Sequence, residues 1–103
     1  MEASVAEKIK VGPDICSYID DEGEVLTVEI SIPGVKRDKI DLKLTEDSLY
    51  LTAPRDDVEF VGTLAFCCPV VPDKAEARYE DGLLKLTVPF KDQMANAVRV
   101  KIG

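Results

Sequence analysis

Residues 75–90 read AEARYEDGLLKLTVPF. Ala75, Ala77 and Tyr79 alternate with Glu76, Arg78 and Glu80; beyond Asp81-Gly82, Leu84, Leu86, Val88 and Phe90 alternate with Lys85, Thr87 and Pro89. Successive side chains of an extended backbone point to opposite faces, so this period of two describes two strands, each packed on one face and wet on the other. Glu80-Asp81-Gly82 between them has the chemistry of a tight hairpin loop, with glycine supplying a left-handed backbone.

The same pattern recurs upstream. Leu26, Val28, Ile30 and Ile32 share one face of 24–32, Ile40, Leu42 and Leu44 alternate with Asp41, Lys43 and Thr45, and Leu49, Leu51 and Ala53 alternate with Tyr50 and Thr52. The breaks carry turn residues: Asp20-Asp21-Glu22-Gly23 suits a short hairpin loop, Pro33-Gly34 suits the two central positions of a type II turn, and Glu46-Asp47-Ser48 is a short polar turn. Short half-wet strands at regular spacing predict an all-β sandwich, two sheets stacked apolar face to apolar face. Met1, Val5 and Ile9 stand four apart, the spacing of a two-turn amphipathic helix or of a frayed arm.

One run breaks the alternation: from Phe60 to Pro72 no residue is charged. Two readings stand, a strand covered on both faces and an uncharged sheet edge that pairs with another chain, because exposed edges are normally blunted by charge.

A chain of 103 residues is one domain, and 46% hydrophobic with 32% charged residues is a globular balance rather than a disordered one. Thirteen basic against twenty acidic residues, net −7, argue against nucleic acid or an anionic membrane as partner, since phosphate contacts need clustered Lys and Arg. No apolar run approaches the roughly 18–20 residues of a membrane span, and residues 1–10 lack a secretory pattern, so a cytoplasmic protein is expected. Cys16, Cys67 and Cys68 form no disulfide framework; they read as small buried hydrophobes, with a redox or metal module as the alternative.

Catalysis has little to build on. The chain holds no histidine, the commonest general base and metal ligand, and no phosphate-cradling or nucleophile-elbow motif. Cys67 and Cys68 lie in the longest uncharged run, a poor place for a thiolate. The acidic stretch 20–24 lacks the spacing of a calcium loop. No catalytic, cofactor or metal site is expected.

Three segments, in order, resemble one family. Ile30-Ser31-Ile32-Pro33-Gly34-Val35 with Lys36–Ile40 looks like the strand–"PGV"–strand passage of the α-crystallin domain. Leu49-Tyr50-Leu51-Thr52-Ala53 is similar to its "L-x-I-x-G/A" strand, and 72–89 resembles its "A-x-x-x-(D/N)-G-(V/L)-L" signature. The resemblance is to the small heat shock protein family and covers roughly Pro13 to Ile102. It implies an immunoglobulin-like antiparallel sandwich and an ATP-independent holdase that binds unfolded or partly folded client proteins.

The resemblance also implies a layout: a short arm over 1–12, the sandwich over 13–90 and a tail over 91–103. The ending Val98-Arg99-Val100-Lys101-Ile102-Gly103 is similar to the family's I/V-x-I/V docking motif, through Val98/Val100 or Val100/Ile102; the other reading is a last strand of the sandwich. The groove that receives such a tail would be lined by Ile40, Leu42, Leu44, Ala75 and Ala77.

A homodimer or small homo-oligomer would form along Phe60, Val61, Thr63, Leu64 and Phe66. Many microbial members carry a long loop with an exchanged strand; here only Arg55 to Val58 stand in its place, the following run has no Arg, and few residues precede Pro13, so large cages are not expected. Those departures keep a second reading open, a p23/CS-type co-chaperone or adaptor that binds one folded partner.

Overall fold

The computed structural model describes residues 8–92 and 97–103, so the expectation of a helix from Met1 to Ile9 falls mostly outside them. Among the described residues eight strands run in chain order: β1 (Ile9–Val11), β2 (Asp14–Ile19), β3 (Val25–Ser31), β4 (Asp41–Leu44), β5 (Ser48–Arg55), β6 (Val58–Ala65), β7 (Glu76–Glu80) and β8 (Leu83–Pro89). They form two four-stranded sheets, ordered β1-β6-β5-β4 and β2-β3-β8-β7. Every pairing is antiparallel except β1 with β6, which is parallel. The expected all-β sandwich is the observed fold.

The alternating residues do what their period requires. Val28, Ile30 and Ile32 are fully buried, with Leu84, Leu86 and Val88 beside them, against Leu49, Leu51 and Ala53 of the facing sheet; Phe60, Val35 and Val70 complete the core. Each such side chain contributes on the order of 1.5–3 kcal/mol of burial.

The turns are those the residues demand. Gly34 has φ +84°, and the N–H of Val35 donates to the carbonyl of Ile32 at 3.4 Å, closing the turn around Pro33-Gly34. A Cβ on Gly34 would stand 2.7 Å from Nη1 of Arg55 and would displace the end of that side chain. Asp81 and Gly82 both take positive φ, +50° and +84°, the geometry of a two-residue primed hairpin. At the β2–β3 hairpin the Asp20 carboxylate accepts the N–H groups of Glu24 at 2.7 Å and Val25 at 3.0 Å. These bonds, Val25's foremost, hold its carboxyl below the usual 3.8.

Three expectations need correction. Ile9–Val11, assigned to a free arm, is a strand paired with Val58–Phe60. The uncharged run is not one strand: β6 ends at Ala65, the chain bends at Cys67-Cys68, crosses to the other sheet at the Val70–Phe90 bridge and makes a 3-10 turn over Pro72–Lys74. Cys16 and Cys67 are exposed and Cys68 is half-buried, so the cysteines are not core residues. The bend and the outward register of β2 put those sulfurs at the surface.

Tyr79 ties β7 to the turn that follows β3. Its hydroxyl lies 3.0 Å from the carbonyl of Ile32 and 2.6 Å from that of Val35, the two ends of the Pro33-Gly34 turn. Tyr79→Phe leaves both carbonyls without this donor and is expected to destabilise the fold by about 1–3 kcal/mol in urea unfolding; an unchanged midpoint would show that water replaces the hydroxyl at no cost.

A candidate binding groove between the open sheet edges

β4 ends one sheet and β7 ends the other, on the same side of the sandwich. Between them lies a groove of about 500 Å³ lined by Arg37, Ile40, Leu42, Ala77, Tyr79 and Leu84. It continues into a second hollow of about 240 Å³ beside Leu44, Ala75 and Leu86. All five residues assigned to the groove from the sequence, Ile40, Leu42, Leu44, Ala75 and Ala77, border these two hollows. Ala75 and Ala77 leave the space because they are small.

Backbone register adds a feature that side-chain patterning cannot show. Thr45 N donates to Ser48 O at 2.9 Å, so Thr45 and Ser48 form a hydrogen-bonded pair across the β4–β5 turn. By alternation Lys43 and Asp41 also bond β5, and Leu42 and Leu44 turn their N–H and C=O groups outward. At β7 the two-residue hairpin pairs Glu80 with Leu83, so Arg78 and Glu76 bond β8 while Ala77 and Tyr79 face outward. The residues whose side chains border the groove are thus the ones whose backbones line its open edges. An extended segment laid there finds apolar recesses for alternate side chains and a ladder for its main chain.

The rim is polar and of mixed sign. Arg37, which the sequence reading did not single out, sends Nη2 to the carbonyl of Tyr79 at 3.1 Å and caps one end of the β7 edge. Arg78 and Glu80 stand beside it. A 3-10 turn over Arg37–Lys39 places the arginine, and no periodic signal in the sequence marks such a position.

The other assigned residues are placed differently. Val98, Val100 and Ile102 are 84%, 77% and 92% exposed, and residues 97–103 form no strand. Of the residues assigned to the dimer edge, Phe60 is buried and paired through β1, Leu64 and, just past β6, Phe66 are half-buried against the core, and Val61 and Thr63 are exposed on the outer face. The β6 edge is therefore occupied over Val58–Phe60 and open only beyond it, where Pro13 and Ile15 pack on Gly62.

Among the described residues no group of three His, Cys, Asp or Glu side chains is placed to hold a metal ion, and no helix is long and apolar enough to cross a membrane.

No family model matches the chain. The 18 kDa antigen 2 of Mycobacterium avium is 30% identical to it, over 80% of this chain and 69% of that protein. Heat shock protein 16.0 from Schizosaccharomyces pombe superposes with a TM-score of 0.72 at 17% identity, covering 98% of this chain and 80% of that one. The Del-C4 mutant of hsp14.1 from Sulfolobus solfatataricus P2 gives 0.71 at 22% identity, covering 87% and 88%. HSP18.5 from E. histolytica gives 0.71 at 15% identity, covering 89% and 99%. The fold and these likenesses define the class: the chain belongs to the small heat shock protein family.

Ala77 is exposed, so a charge there does not enter the core. Ala77→Glu is expected to keep stability within about 0.5 kcal/mol while reducing fluorescence of an apolar dye bound to the protein; undiminished fluorescence would place the dye elsewhere.

Proposed function

We propose that the chain is an ATP-independent holdase that captures unfolded or partly folded proteins and limits their aggregation, without catalysing a reaction. The observation that carries this is the β4–β7 groove, where apolar recesses and outward-facing backbone of Leu42, Leu44 and Ala77 coincide. Such a site recognises what unfolded chains share, an extended backbone with apolar side chains at alternate positions, and so needs no sequence code. Burial at about 25 cal/mol per Å² supplies the driving force. Capture and release of this kind use no nucleotide, and the chain carries no phosphate-binding motif.

The tail has the alternation the groove asks for. Val98, Val100 and Ile102 point the same way on an extended segment, separated by Arg99 and Lys101. We assign it to the groove of a neighbouring copy, where it competes with clients. The open part of the β6 edge, where Val61 and Thr63 turn their backbones outward, is the surface assigned to a homodimer or small homo-oligomer. Three free thiols suit a reducing compartment such as the cytoplasm.

The two-residue turn Asp56-Asp57 between β5 and β6 favours a second reading. With no exchange loop in that place, a p23/CS-type adaptor bound to one folded partner has the same scaffold.

Light scattering of a heat-labile client without ATP decides between them. Suppression of aggregation near one subunit per client is expected, weakened by Ala77→Glu; no suppression in large excess would overturn the holdase and favour the adaptor. Multi-angle light scattering is expected to give a dimer or small oligomer at micromolar concentration, shifted toward monomer by Thr63→Glu. A monomer unchanged by that substitution would remove β6 as the assembly edge.

A further inference from the structure

Cys67 and Cys68 are adjacent in the chain and sit outside both sheets, in a bend between the end of β6 and the Val70–Phe90 bridge. The bend is anchored on both sides. Phe66 N donates to Asp47 O at 2.7 Å, Val70 N donates to Glu46 O at 2.9 Å, and Lys91 N donates to Pro69 O at 2.9 Å. The backbone that carries the two thiols is therefore held before any ligand arrives.

The sulfurs are near one another and accessible. Cys67 is exposed and Cys68 half-buried, and both side chains face one recess. The neighbouring Cys68 side chain pushes the Cys67 thiol above its usual 9.0, so Cys67 rests as a neutral thiol at neutral pH. Both border a recess of about 770 Å³ whose apolar walls include Ile19, Val25, Pro89 and Phe90. Cys16, the third cysteine, does not border it.

We propose that Cys67 and Cys68 form a chelating dithiol site for a soft, thiophilic centre that takes two sulfur ligands, typified by a trivalent arsenical bearing one aryl group. Soft thiolate ligands suit such a centre, and the second sulfur binds at the high effective concentration set by its position beside the first. With a hydrated aryl arsenical, two As–S bonds form and the two As–O bonds break. The two thiol protons leave with the oxygens as two waters, and no oxidation state changes. The aryl ring then lies against the apolar wall of the recess. The site stands apart from the β4–β7 groove and does not depend on the holdase reading.

The test uses phenylarsine oxide and intact-mass spectrometry on the full chain. The wild type and Cys16→Ser are expected to take up one phenylarsine unit with loss of two thiol hydrogens. Retention against glutathione should require roughly a hundredfold more competitor than for Cys67→Ser or Cys68→Ser, whereas 2,3-dimercaptopropanol should release the adduct. Cys67 is exposed, so Cys67→Ser alone suffices should the half-buried Cys68 not tolerate change. A wild-type adduct stripped by glutathione as easily as that of Cys67→Ser, or one lost in Cys16→Ser, would overturn the proposal.

Discussion

Two sheets, each apolar on one face only, have to bury those faces against each other, and the rest of the molecule follows from that contact. Val28 and Ile30 of β3 and Ile32 just after it, with Leu84, Leu86 and Val88 of β8, meet Leu49, Leu51 and Ala53 of β5. Neither sheet is stable alone, because one wet face and one apolar face in water leave too little burial to offset the chain entropy. Stacking satisfies the faces but leaves the edges, and a sandwich of two four-stranded sheets has two sides on which edges remain.

The two sides are treated differently. On one, β1 pairs with the first half of β6, and Pro13 and Ile15 pack on Gly62, so the edge is partly closed by the chain's own start. On the other, β4 and β7 stand apart with Ala75 and Ala77 between them, and small side chains leave a groove where larger ones would have closed it. The Tyr79 hydroxyl, bonded at both ends of the Pro33-Gly34 turn, and Arg37, bonded to the Tyr79 carbonyl, keep that side from collapsing or fraying. The polar bonds at this end of the sandwich therefore act chiefly on the shape of the groove, while the apolar contact supplies stability.

Much of this was legible without coordinates, for identifiable reasons. The strands from β3 to β5 and β7 to β8 carry a strong contrast between faces, and the turns at Asp20–Gly23, Pro33-Gly34 and Asp81-Gly82 hold glycines at φ values of +72°, +84° and +84°. The five groove residues stand in alternating stretches of the sequence, and it is the family resemblance, not the alternation, that points to a groove between them. β1 escaped notice because three residues are too few to show a period. β2 escaped because Ile15, Ser17 and Ile19 on one face and Cys16 and Tyr18 on the other differ little in polarity. The run from Phe60 to Pro72 was misread as one element because it lacks charge throughout, and nothing local marks where it changes sheets.

The sequence by itself determined the fold class, the strands with one apolar face and the turns, because these depend on side-chain period and on φ, which are properties of neighbouring residues. Tertiary structure alone decided which edges are open, that the backbones of Leu42, Leu44 and Ala77 face outward, that Arg37 caps the groove, and that Cys67 and Cys68 share an exposed, anchored bend. Those are relations between segments far apart in the chain, set by register and by the crossing between sheets, and no local pattern encodes them.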